Sequence, residues 1–252
     1  MKKNYSLDKN TKNNFSNLDK LSHEIYNDRK FARKYSEFAE RNSINSVYEK
    51  PVTLSLLEIT SKMKVLDAGC GSGIYTEWLT ERGADVTGLD YSSELLSIAK
   101  EKNLPAKFIE ANLNYPLDFF VDEEFDLVLS ALVIHYIKDL NLLFSEFNRI
   151  LKPGGVFVFS THHPFLDFKH HPETNYYDTN IIEDRWRSYN VYMKTFRRPF
   201  SELFRLLKLN GFRTEDLLEP IPPEIMRETD PELYQEILTT PRFVFFKALK
   251  IN

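Results

Sequence analysis

Glycine is scarce in this chain of 252 residues: there are only eight, and three of them fall within five positions, at Gly69, Gly71 and Gly73. Such clustering marks a backbone that turns tightly and lets another molecule approach closely. Cysteine is scarcer still. Cys70 stands alone, so no internal disulfide can form, and Met1 to Ser6 leads into polar sequence without the apolar run of a secretion signal. A reducing, cytoplasmic setting is therefore expected. Long hydrophobic runs are missing as well: the longest apolar stretch, 125–137, is broken by Asp126, Ser130 and His135 and is too short to span a bilayer, so no membrane partner is expected. Nor does one sign of charge dominate. With 33 Lys and Arg against 37 Asp and Glu, the formal charge of −4 gives no general attraction to a polyanion and disfavours nucleic acid, although Arg197-Arg198 leaves room for a local basic patch. No internal repeat is present. The 42% of hydrophobic residues suffices for a substantial core, in one large α/β domain or one domain with a small cap.

The glycine cluster sits in a recognisable unit. Lys64-Val65-Leu66 is a short apolar approach, 69–73 a turn, Ile74 to Glu81 a helix, and Gly83 resets the chain for a second strand over 85–89. In an open α/β sheet, ligands bind beyond the carboxyl ends of the strands, where Asp67 and Asp90 would both lie. Asp90 follows the turn by about the twenty residues expected of a ribose-binding carboxylate. A nucleoside-containing cofactor follows. NAD is disfavoured, because the dinucleotide fingerprint needs glycine at position 74 and Ile74 stands there.

The stretch Val65-Leu66-Asp67-Ala68-Gly69-Cys70-Gly71-Ser72-Gly73, with its acidic partner Asp90, resembles the first motif of the class I S-adenosylmethionine-dependent methyltransferases. The resemblance continues through Gly88-Leu89-Asp90-Tyr91-Ser92, Phe125-Asp126-Leu127-Val128 and Leu151-Lys152-Pro153-Gly154-Gly155, in the family's order, and covers roughly residues 45 to 160. It implies a Rossmann-like, doubly wound, mostly parallel seven-stranded α/β sheet with S-adenosylmethionine as cofactor. It also implies cofactor contacts from Asp67, Gly69, Cys70, Gly71, Gly73, Asp90, Tyr91, Leu113 and Ser130. Asn112 stands where relatives often carry an acid toward the adenine amino group; an amide oxygen can still accept there.

The remaining organisation is read in order. Residues 1–20 are a polar, flexible arm, and 21–60 hold two or three helices that form an N-terminal cap before the first strand. Residues 61–162 are the cofactor core, 163–198 an aromatic insertion after the fifth strand that would act as a lid, and 199–252 a C-terminal helix and strands. In the resembled family such a helical cap contributes to the substrate pocket, which brings Tyr26, Tyr35 and Tyr48 toward the methyl group; packing on helix faces is the alternative. Trp186 in the insertion is a candidate for substrate selectivity, or else part of a cap or dimer contact.

Methyl transfer from a sulfonium mainly requires a nucleophile held close, aligned and dry. If a base is needed, His135 beyond the fourth strand is best placed, followed by His162 and His163. The grouping of His162, His163, His170 and His171 lacks the cysteines and carboxylate spacing of a metal site, so no metal is expected. Cys70, inside the turn, is not read as a nucleophile. The leading expectation is methyl transfer to an oxygen or nitrogen of a small-molecule acceptor by a monomer or homodimer. An RNA- or protein-directed methyltransferase lacks a base-clamping N-P-P-Y-type sequence, since Ser130-Ala131-Leu132-Val133 stands there. An NAD enzyme or a ligand sensor is the third possibility.

Overall fold

The computed structural model describes residues 21–186 and 188–251, so the arm expected over 1–20 lies outside the described residues. Residues 21–26 are helical, followed by α1 (Arg29–Arg41), a π-helical turn (Ser43–Glu49) and α2 (Lys50–Ser55). Asp28 starts α1 by accepting from the Phe31 amide. The core then alternates: β1 (Lys64–Ala68), α3 (Ile74–Glu81), β2 (Asp85–Asp90), α4 (Ser93–Glu101), β3 (Ala106–Glu110), β4 (Phe125–Ala131), a 3-10 turn (Ile134–Tyr136), α5 (Leu140–Ile150) and β5 (Leu151–His162). The insertion contributes α6 (Pro164–His170) and the hairpin β6 (Asn180–Trp186) and β7 (Val191–Arg197). The chain closes with α7 (Phe200–Leu209), β8 (Phe212–Leu218), α8 (Ile225–Thr229), α9 (Pro231–Thr239) and β9 (Phe243–Lys250).

Seven strands form one sheet in the order β3-β2-β1-β4-β5-β9-β8, parallel except for β9, which runs antiparallel to both neighbours. Alternation along each strand sends neighbours to opposite faces. Leu66 joins a core with Leu89, Phe144, Phe157 and Phe246, while Val65 joins another with Leu79, Val86, Leu127 and Phe245. The strand order reverses direction of growth at β1, between β2 and β4, so the carboxyl ends of these strands open the crevice where such sheets bind ligands.

Two details depart from the sequence reading. Leu151 reads as the last inward residue of the helix and Lys152-Pro153-Gly154-Gly155 as its close, but the whole stretch is already extended: Leu151 pairs with Phe125 before the register shifts and Val156 pairs with Leu127. Arg197 and Arg198 form no basic patch, because both are buried. Arg197 donates to the Asn175, Tyr176 and Asp178 carbonyls, and Arg198 to those of Ile137 and Lys138. Carbonyl oxygens, not a polyanion, receive these guanidinium groups, with Arg197 Nε left without a partner among the described residues. The first fixes the loop that leads into the hairpin, and the second ties β7 to the segment following the 3-10 turn.

The N-terminal cap is fastened to the core by a buried carboxylate. Glu49 accepts from the hydroxyls of Thr53, Tyr75 and Ser160, and burial raises its pKa. Ser160 Oγ also accepts from the Leu132 amide, so the same network holds the turn after β4 in place.

Candidate active site

The glycine turn is built by backbone that side chains disfavour: Gly69, Gly71 and Gly73 have φ of 87°, 53° and 80°. Gly69 and Cys70 both donate their amides to the Leu89 carbonyl, which ties the turn to the end of β2. Asp90, at that end, accepts from the amides of Gly71 and Ser92, both at 2.8 Å. Ser92 in turn caps α4 through Leu95 and donates to the Tyr26 carbonyl, joining the N-terminal segment to the cleft.

The cleft above this turn is lined by Gly69, Gly71, Asp90, Tyr91, Asn112 and Leu113 on one side, and by Tyr26, Tyr35, Val133 and Tyr136 on another. Tyr26 and Tyr136 meet hydroxyl to hydroxyl at 3.0 Å. His23 lies against Tyr91 with ring centroids 4.1 Å apart, and Ser22 contributes a buried hydroxyl with no partner among the described residues. Asn112 reaches the cleft, but its Oδ1 already accepts from the Asn114 amide at 2.9 Å.

Several expected contact residues stand behind this wall. Asp67 is buried beneath the turn, accepting from Thr76 Oγ1 at 2.7 Å, and burial pushes its pKa up to about 7. It orients α3 beneath the turn. Ser130 is fully buried and donates to the Ala68 carbonyl, because its position on β4 points into the sheet's packing. The Cys70 side chain is buried, with burial raising its pKa, and Gly73 packs on Ala99. Tyr48 is likewise a packing residue: it is 1% exposed and donates to the Pro220 carbonyl.

The chemistry of this donor set fits a nucleoside cofactor: a strand-end carboxylate with lone pairs to spare, an orphaned hydroxyl, and a turn open at Gly71, where an added Cβ would meet nothing within 4 Å. Comparison with known proteins agrees. A methyltransferase-domain family model matches residues 66–159. A malonyl-[acyl-carrier protein] O-methyltransferase of Hamiltonella defensa is 33% identical over 142 residues, 55% of this chain and 54% of its own length. The chain thus spans about half the length of the curated relatives heading this comparison. A Haemophilus influenzae protein is 28% identical over 255 residues, covering 90% of this chain and 97% of that one. Among solved structures, a Mesorhizobium loti S-adenosylmethionine-dependent methyltransferase superposes with TM-score 0.66 at 26% identity, covering 84% of this chain and 99% of that one. A Listeria monocytogenes protein described as a methyltransferase of the same dependence gives TM-score 0.74 at 22% identity over 84% of this chain.

Residues 66–159 carry a methyltransferase domain, on the fold of the class I S-adenosylmethionine-dependent methyltransferases. Its cofactor is S-adenosylmethionine.

A second cavity of this methyltransferase, about 360 Å³, shares Tyr35, Leu132 and Tyr136 with the cofactor cleft. The insertion roofs it with Asp184, Arg185, Trp186, Ser188 and Tyr189. The hairpin tip is held on α1, where Lys34 donates to the Ser188 carbonyl, Phe31 packs on Tyr189 at 5.2 Å, and Tyr35 stacks on Trp186 at 6.3 Å. His135 and His162 line this cavity, stacked at 4.0 Å. His135 Nδ1 lies 3.3 Å from Thr161 Oγ1, which orients the ring. Burial keeps both imidazoles neutral: it lowers the His135 pKa far below the usual value, and that of His162 to about 4, assisted by Arg242. His163 points elsewhere. It caps α6 by accepting from the Phe165 amide, and its Nε2 meets Glu219 at 2.6 Å. Successive residues at a strand end face opposite ways, so only one of the two adjacent histidines can line the cavity.

Sequence reasoning missed His23, Ser22, Asp167 and Arg242. None carries a local pattern, and each reaches its cavity by tertiary packing. Among the described residues, no group of three or more His, Cys, Asp or Glu is placed to hold a metal ion, and no helix is long and apolar enough to cross a membrane.

Proposed function

We propose that this methyltransferase moves a methyl group to an oxygen or nitrogen atom of a small-molecule acceptor bound in the second cavity. One observation carries the reading: a cavity of small-ligand size abuts the cofactor cleft across Tyr35, Leu132 and Tyr136. Asp90 would hold the ribose hydroxyls, Asn112 and Leu113 the adenine edge, and Gly69 and Gly71 would allow close approach. The cofactor supplies a methyl group on a sulfonium, already joined to its leaving group. The chain's own residues orient the acceptor and keep water out. The tyrosine faces around the junction favour positive charge nearby. His135 and His162, neutral, can accept a hydrogen bond from the acceptor and so help to orient it, although burial makes them weak bases.

The likeness to the Hamiltonella malonyl-[acyl-carrier protein] O-methyltransferase favours a second reading, methyl transfer to a carboxyl oxygen of an acyl group on a carrier protein. A cell extract treated with methyl-labelled S-adenosylmethionine and the purified protein separates the two. Label in the low-mass fraction is the expected result. Label retained on a carrier protein, or on RNA, would replace the small-molecule acceptor.

A further inference from the structure

Asp167, in the first turn of α6, is only 7% exposed, yet its carboxylate has no hydrogen-bond donor among the described residues. Its nearest cationic candidate is His162 Nδ1, 4.0 Å away, and that imidazole is neutral. The carboxylate faces the acceptor cavity on one side and, on the other, a void of about 10 Å³ beside His135, Thr161 and Arg198. Burying an unpaired carboxylate is costly, so a side chain left in this state points to a donor that arrives with a ligand. Burial raises its pKa to about 7, aided by Asp184, against the opposing pull of Arg197, His171 and Arg242.

The same cavity is walled by Tyr35, Trp186 and Tyr189, whose ring faces attract cations. Asp184 adds a second carboxylate, partly engaged by His171 Nε2 at 3.1 Å. The two arginines that line the cavity among the described residues have partners of their own: Arg185 donates to Asn190 and Arg242 to Glu236. A carboxylate acceptor would meet two like charges here, and an alcohol brings no charge for either carboxylate to pair with. We propose that the acceptor is an amine, recognised as its ammonium form between the Asp167 carboxylate and the aromatic wall, with Asp167 taking the proton that frees the nitrogen for methylation. This rests on the second cavity being the acceptor site. The balance closes without another reactant. The ammonium N–H bond breaks and its proton forms the neutral acid on Asp167. The nitrogen lone pair makes the new N–C bond as the C–S bond breaks, and the positive charge passes from sulfur to the product amine.

Calorimetry on protein saturated with S-adenosylhomocysteine tests this with three probes of one shape: 2-phenylethylamine, 2-phenylethanol and phenylacetate. At pH 8 the amine is expected to bind at least about tenfold more tightly than the alcohol, and phenylacetate not at all. Asp167→Asn should remove about tenfold of the amine affinity and leave the alcohol and S-adenosylhomocysteine unchanged. Asp167→Ser, read beside it, covers the case in which the amide packs badly. In the wild type, amine affinity should fall as pH drops through about 7 and level off about tenfold lower, as the carboxylate protonates, and stay flat in Asp167→Asn. Equal or tighter binding of alcohol or phenylacetate, no binding of any probe, or undiminished amine affinity in both variants overturns the proposal. Failure of S-adenosylhomocysteine itself to bind would instead strike the methyltransferase reading.

Discussion

Asp90→Ala is expected to weaken S-adenosylhomocysteine binding by at least about a hundredfold while the protein still folds. The carboxylate ends β2 and already accepts from the Gly71 and Ser92 amides, which fixes its orientation toward the cleft. Its remaining lone pairs are free for ribose hydroxyls. Two hydrogen bonds to a charged acceptor are worth about 1.5–3 kcal/mol each, so losing both costs roughly 3–6 kcal/mol, or two to four powers of ten in affinity. The turn also loses its anchor at Gly71, which adds to the effect. Burial raises the pKa of this carboxyl, so removing the charge does not strip the fold of a favourable ion pair. Calorimetric titration with a melting curve on the same sample checks this. Unchanged affinity in a folded variant would mean that the ribose lies elsewhere.

Gly69→Ala and Gly71→Ala are expected to fail in opposite ways, although only one residue separates them. At Gly69 an added Cβ would lie 2.2 Å from one methyl of Val133 and 2.9 Å from the other, at φ +87°. Overpacking costs about 1–3 kcal/mol and left-handed backbone about 1–2 more. A loss of about 3–4 kcal/mol lowers the melting temperature by roughly 6–16 °C in a chain of this size. At Gly71 the Cβ meets nothing, so the strain alone, about 1–2 kcal/mol, bears on stability. The methyl group instead enters a cleft-lining position and should cost at least about tenfold in cofactor affinity. Equal melting temperatures for the two variants, or full affinity in Gly71→Ala, would contradict this geometry.

These two sites also show what could be read in the sequence. The glycine triplet, Asp90 some twenty residues on, and the near-continuous apolar strand at Phe125–Ala131 are local patterns, and the sheet and cleft follow from them. A strand end has two faces, however, and local sequence does not say which of two neighbours faces the ligand. Asp67 and Ser130 turned inward to Thr76 and the Ala68 carbonyl, and His163 turned to Glu219 while His162 lines the cavity. Tyrosines on the N-terminal helices divide in the same way: Tyr26 and Tyr35 reach the cleft, whereas Tyr48 bonds Pro220. Arg197-Arg198 looked like surface charge. The loop before the hairpin and the segment after the 3-10 turn needed donors for their carbonyls, a demand that arises only once those distant segments meet. Asp167 was silent for the opposite reason: its environment is defined by the donors it lacks.

The central claim is that the cleft over Gly69 to Gly73 is an S-adenosylmethionine site. Parallel calorimetric titrations of the wild-type protein with S-adenosylmethionine, S-adenosylhomocysteine and NAD test it most directly. Micromolar binding of the first two with NAD silent is the expected result, in keeping with Ile74 where a dinucleotide fingerprint needs glycine. Binding of NAD alone would contradict it and make the glycine turn an atypical dinucleotide site.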